Sequence, residues 1–149
     1  MIIMNYERIK KQLIEHEGLK LEPYRCTAGK LTIGVGHNLD DKPISRDVAM
    51  LMLQDDIDDC IQDLQKNIMC FDALPPNVKE ALINLCFNMG INRLLQFKKT
   101  LSYISTEDYD KAAEELLDSR YAAQVGKRAV DVSNICLLYT SDAADDVRG

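Results

Sequence analysis

The chain has 149 residues, 46% hydrophobic and 28% charged, the size and composition of one globular domain or of two small lobes sharing a core. Its apolar runs fall far short of the roughly 18 residues a membrane span needs, and the start, MIIMNYERIKKQ, lacks the apolar core and cleavage site of a secretory signal; neither export nor a stable membrane anchor is expected. A net charge of −6, from 18 basic and 24 acidic residues, points away from a nucleic-acid partner, which normally meets a basic face.

In chain order, Asn5 reads as the N-cap of a first helix. Tyr6, Ile9 and Leu13 follow at helical spacing, and Glu17 is the last residue before Gly18, a residue type common just past helix ends. Residues 19–36 change character: Pro23-Tyr24-Arg25, the turn Thr27-Ala28-Gly29-Lys30, then Leu31 to Val35 read as strand, turn and strand. Gly34 and Gly36 close that segment and signal a bulge or a close backbone approach. Ser45 caps a long helix with Val48, Leu51, Met52, Ile57, Cys60, Ile61 and Leu64 as its apolar stripe. Leu74-Pro75-Pro76 breaks the chain and starts a strongly apolar helix (Val78, Ala81, Leu82, Leu85, Cys86, Met89), expected to be the buried centre of a helical lobe. Ser105-Thr106-Glu107-Asp108 resembles a capping box opening a further helix through Ala112, Leu116 and Leu117. The expected architecture is α+β and mostly helical: a small hairpin lobe, a connecting helix and a larger helical lobe, with a cleft suited to an extended ligand.

Five cysteines (Cys26, Cys60, Cys70, Cys86, Cys136) without a C-x-x-C, and only two histidines (His16, His37), support neither a disulfide framework nor a metal site. Most of the thiols are expected to pack as small hydrophobes. Glu17 carries more information. At a helix C-terminus, unpaired carbonyls place partial negative charge beside its carboxyl, which raises the pKa and suits a general acid. Taken singly, Glu17 also reads as a surface glutamate, Cys26 as a packed thiol, Thr32 as a β-branched strand residue, and His37 as a satisfied structural histidine.

Together these residues resemble a known signature. Glu17, eight residues, Cys26, five residues, Thr32, with Tyr24 between and Ile33-Gly34-Val35-Gly36-His37 after, is similar to the active-site motif of phage-type lysozymes, the endolysins of glycoside hydrolase family 24. In that family the second position is Asp or, less commonly, Cys. Phe87-Asn88-Met89-Gly90, Phe97, Ser119-Arg120-Tyr121, Gln124 and Arg128 continue the likeness, which covers roughly residues 5–130.

The resemblance implies a lysozyme-like domain over residues 1–136. Its hairpin lobe spans about 19–44, its connecting helix about 46–68, and its helical lobe about 75–136 plus helix 5–17. It implies hydrolysis of the β-1,4 bond between N-acetylmuramic acid and N-acetylglucosamine in peptidoglycan, with Glu17 as general acid. Cys26 stands where an aspartate usually does. A thiol is mostly neutral at pH 7, so Cys26 requires a depressed pKa, a role as neutral hydrogen-bonding group, or another group to orient the water. Thr32 is implied to position that water, and water on the far face of the sugar makes the reaction inverting, with the acid and its partner about 6.5–9.5 Å apart. Arg128 is implied to pair with the glutamate and His37 with a carboxylate on the connecting helix, best Asp56. Tyr24, His37, Asn88, Phe97, Ser119 and Tyr121 fall at substrate-facing positions.

No cofactor or metal is implied. The resemblance implies that the partner is the glycan strand, that the chain acts as a monomer, and that it collects in the host bacterial cytoplasm until a separate holin gives access to the wall. Residues 137–149 match nothing in the family and read as an atypical tail, with two readings open: unrelated, non-native translated sequence or a genuine divergent end. The acidity is unusual for wall enzymes, many of which are basic, and the tail's three aspartates against Arg148 explain only part of it. Two other readings compete: a Cys26/His37 wall peptidase or amidase, and a non-enzymatic helical interaction protein.

Overall fold

A computed structural model describes residues 3–134; the tail at 137–149 lies outside that range. Among the described residues the fold is α+β, mostly helical with one three-stranded antiparallel sheet. The chain divides into two units, Met1–Leu51 and Met52–Gly149.

In the first unit, α1 (Tyr6–Glu17) starts where Asn5 accepts a hydrogen bond from the Arg8 N–H at 3.0 Å, and stops at Gly18, whose φ of +78° no side chain opposes. The sheet follows in the order β1 (Lys20–Arg25), β2 (Leu31–Gly34), β3 (His37–Asn38). Pro23 is tolerated because β1 is an edge strand, and the register slips between Lys20 and Tyr24. The turn between β1 and β2 is closed by Cys26 N–H to Lys30 C=O at 2.9 Å and Gly29 N–H to Cys26 C=O at 2.8 Å. The short strand β3 was not legible as a strand. Two residues are too few to alternate, and β3 exists because Thr32 pairs with Asn38 and Ile33 with His37. Helix α1 falls in the first unit with this sheet.

Helix α2 (Arg46–Asn67) is capped by Ser45, whose hydroxyl accepts from the Val48 N–H at 3.2 Å. The second unit continues with a 3-10 turn (Phe71–Ala73), α3 (Pro76–Met89), α4 (Ile91–Leu94), α5 (Lys98–Ser105), α6 (Tyr109–Leu117), α7 (Arg120–Val125) and a helical stretch over 127–134. As expected from its pattern, α3 buries Val78, Ala81, Leu82, Leu85 and Cys86. They meet Leu64, Phe71, Leu94, Ile104, Leu116 and Val132 in one core.

One local reading needs correction. The cap of α6 is Asp108, accepting from the Lys111 N–H at 3.4 Å, and not Ser105. Ser105 instead ends α5 by donating to the Ser102 carbonyl at 2.7 Å, and Glu107, at φ +60°, separates the two helices. The resemblance runs only to about residue 130, yet the segment from Asp131 continues the helical unit: it stays helical through residue 134, Val132 is buried, and Ser133 donates to the Ala113 carbonyl at 3.3 Å.

Candidate active site

Glu17 occupies the last position of α1 and its side chain is exposed. It lies against Gly36: a β-carbon there would stand 3.1 Å from Glu17 Oε2, 3.3 Å from Cγ and 3.4 Å from Cβ. Gly36 has φ +61° and Gly34 has φ +70°, so the reversal around Val35 is built from two left-handed glycines. One of them meets the signal read from sequence, a close approach, and the group approaching is the candidate acid.

Cys26, at the start of the turn after β1, and Thr32, on β2, come together. Thr32 is 3% exposed, stands opposite Tyr24 on β1 and Asn38 on β3, and donates its hydroxyl hydrogen to the Lys30 carbonyl at 2.9 Å. The Cys26 thiol is held below the ordinary thiol range, first by the backbone N–H of Lys30, then by that of Ala28. Partial burial opposes them and the Thr32 hydroxyl adds a smaller lowering contribution. A turn that aims two N–H groups at a sulfur stabilises its thiolate, so this cysteine can carry part of the charge an aspartate would.

His37 Nε2 bonds the Lys42 carbonyl at 3.0 Å, which requires the proton on that nitrogen. The same turn is tied by groups the sequence reading missed. Asp40 accepts from the Leu31 N–H at 2.8 Å and from Arg25 at 3.5 Å, Asn38 and Asp41 exchange two hydrogen bonds, and Lys30 pairs with Asp41 at 3.2 Å. The run Asn38-Leu39-Asp40-Asp41 after a strand is the pattern of side-chain-stabilised turns and could have revealed them.

In the second unit, Arg128 Nε donates to Asn84 Oδ1 at 2.9 Å. Both line a hollow of about 440 Å³ with Glu80 and the apolar Ile57, Ile83 and Phe87. Asn84 was not anticipated; it lies one helical turn before Asn88, which ends exposed in the last turn of α3. Asp56 is exposed on α2. Phe97 and Ser119, both expected to face substrate, share a second hollow of about 310 Å³ with Lys98, Lys99, Glu115 and Asp118. Ser119 also caps α7, accepting from the Ala122 N–H at 3.2 Å and donating to the Leu116 carbonyl at 2.6 Å. Tyr121 lies in the first turn of α7. Among the described residues no three His, Cys, Asp or Glu side chains form a metal-sized group, and no helix is long and apolar enough to cross a membrane.

Comparison with known proteins identifies the family. The family model described as Phage lysozyme matches residues 14–132. "Probable T4-type lysozyme 1" of Dictyostelium discoideum is 29% identical over 165 aligned positions, covering 91% of this chain and 96% of that protein. "Probable T4-type lysozyme 2" of the same organism is 28% identical over 157, covering 85% and 92%. The "Endolysin" of Acyrthosiphon pisum secondary endosymbiont phage 1 is 32% identical over 117, covering 76% and 77%. With the matched region spanning the whole Glu17–Cys26–Thr32 constellation and the helical unit through Val132, the chain belongs to the phage lysozyme family and is a glycoside hydrolase of the lysozyme type.

Proposed function

We propose that the protein is an endolysin that cleaves the β-1,4 bond between N-acetylmuramic acid and N-acetylglucosamine in bacterial peptidoglycan, with inversion. The observation that carries the reading is the carboxyl of Glu17 lying on the bare backbone of Gly36, in the unit that also holds Cys26 beside Thr32. Glu17 gives its proton to the departing glycosidic oxygen. Water attacks the opposite face of the sugar, and Cys26, as thiolate, takes up its proton while Thr32 orients it. A thiol is a poorer base than a carboxylate only in its neutral form, and the Lys30 and Ala28 N–H groups favour the charged one.

Tyr24, His37, Asn88, Phe97, Ser119 and Tyr121 are assigned to glycan contact, and Arg128 and Asp56 to support of the site. The chain works as a monomer without metal or cofactor. It collects in the host bacterial cytoplasm until a separate holin opens the route to the wall, and lysis follows. The Cys/His peptidase reading is weakened because Cys26 takes its partners from Lys30, Ala28 and Thr32, while His37 is engaged by Lys42.

The test is digestion of purified peptidoglycan with product analysis by proton NMR within the first minutes. New reducing ends in the α configuration, without new free amines, are expected. Initial β products would refute inversion, and amines without reducing ends would replace the glycosidase by a peptidase.

A further inference from the structure

The hollow of about 310 Å³ in the second unit carries charges that the hydrolysis above does not use. It lies where the start of α5 meets the end of α6: Lys98, Lys99 and Thr100 come from α5, Glu115 and the C-cap Asp118 from α6, and Phe97 adds an apolar surface. The two walls have opposite polarity. The first N–H groups of a helix have no carbonyl partner within it and carry partial positive charge. Here the Lys98 N–H turns back to the Gln96 carbonyl at 2.9 Å, while the Lys99 and Thr100 N–H groups open α5 with no capping side chain. The other wall is the negative end of α6, to which Glu115 and Asp118 add two carboxylates. Ion pairs among the described residues lie elsewhere, at Lys10–Glu7, Arg25–Asp40, Lys30–Asp41 and Lys111–Asp108, so the lysines and carboxylates of the hollow do not compensate one another. Thr100 lines the same space at 6% exposure, and its hydroxyl makes no hydrogen bond to a described residue. A buried hydroxyl without a partner is destabilising, and an incoming acceptor removes that cost.

We propose that this hollow binds a zwitterionic amino acid head group, an ammonium and a carboxylate on one carbon, carried by the stem peptide of the wall. This rests on peptidoglycan being the substrate and extends recognition beyond the sugars. The carboxylate accepts from the Thr100 hydroxyl and from the N–H groups of Lys99 and Thr100, with the two lysine side chains beside it. The ammonium donates to Glu115 and Asp118. A lone anion is repelled by the two carboxylates and a lone cation by the two lysines, so only a ligand bearing both charges gains from both walls. Where the third residue of a stem peptide is a diamino dicarboxylic acid, its unlinked end is such a head group. Where that residue is lysine, the end is an amine without the carboxylate. Lys98, Lys99, Thr100, Glu115 and Asp118 are therefore specificity-determining residues that favour walls of the first kind.

The experiment titrates the whole nitrogen-15-labelled protein with the peptide N-acetylalanyl-γ-glutamyl-diaminopimelate. Three analogues are compared: lysine in place of diaminopimelate, the free-end amine acetylated, and the free-end carboxylate amidated. The parent peptide should shift the backbone amide signals of Lys99, Thr100 and Glu115 and bind about tenfold more tightly than each analogue. Glu115→Gln and Lys99→Gln should each lose that margin. In both variants the KM for diaminopimelate-type wall should rise to the value for lysine-type wall, with kcat changed by less than about twofold. Should either variant fail to fold, the four peptides on the parent protein decide alone. Equal binding of the four peptides, tighter binding of the acetylated form, or shifts confined to other amides overturns the proposal. Its failure is separable from that of the glycosidase reading. Wall cut at its sugar bonds with no preference between stems removes the subsite and leaves the enzyme, whereas peptide binding without reducing-end release keeps the subsite and removes the enzyme.

Discussion

Gly36→Ala tests the contact on which the site is built, and Gly34→Ala is its internal control. Both glycines have positive φ, +61° and +70°, so each alanine incurs the same backbone penalty, about 1–2 kcal/mol. For a chain of this size that lowers the melting temperature on the order of 3–8 °C in either variant. The surroundings differ. A β-carbon at Gly34 meets nothing within 4 Å, whereas at Gly36 it stands 3.1–3.4 Å from three atoms of Glu17. Because the Glu17 stem is among those atoms, the side chain must give by a few tenths of an ångström, and its carboxyl moves with it. A misplacement of about 1 Å costs a catalytic group on the order of 10²-fold in rate, so this smaller one costs roughly several-fold. Thermal unfolding and reducing-end release from purified wall should therefore show two similarly destabilised proteins, of which only Gly36→Ala loses activity by several-fold. Equal activity in the two variants would refute the reasoning.

Other perturbations separate the remaining contributions. Thr32→Val removes a buried hydrogen bond to the Lys30 carbonyl and should cost about 1 kcal/mol in denaturant titration. It should also move the pH profile of Cys26 alkylation upward, since the hydroxyl lowers that thiol's pKa, though the Lys30 and Ala28 N–H groups keep most of the lowering. The sign for stability follows: a depressed folded pKa stabilises the native state above the unfolded thiol's pKa, and that contribution fades as pH falls through the folded value. Asn84→Ala frees Arg128 Nε and is expected to cost about 1 kcal/mol while raising KM for wall fragments more than it lowers kcat. Leu82→Ala, at a side chain 1% exposed, should destabilise by about 2–5 kcal/mol, read by chemical unfolding, with the activity of the folded fraction unchanged.

Much of the fold could be read because its local signals are short-range. Asn5, Ser45 and Pro76 mark helix starts, Gly18 and Gly90 mark helix ends, and each does so through its own backbone or side chain. What escaped was set by distant partners. Strand β3 depends on β2, and the hydrogen bond of Arg128 reaches Asn84 across 44 positions. Ser105 fits a capping pattern, yet Glu107 adopts a left-handed φ that delays the helix to Asp108, a conformation a non-glycine residue rarely signals in sequence. At the site, the Glu17–Cys26–Thr32 spacing was legible, but the reason for Gly36 was not. A glycine after a strand announces an approach without naming what approaches.

The general acid itself is tested most directly by Glu17→Gln, which keeps the shape of the side chain beside Gly36 and removes its proton. With folding verified by thermal unfolding, reducing-end release from purified peptidoglycan should fall by about 10²–10⁴-fold. A folded Glu17→Gln protein that clears wall within a few-fold of the parent rate would contradict the account.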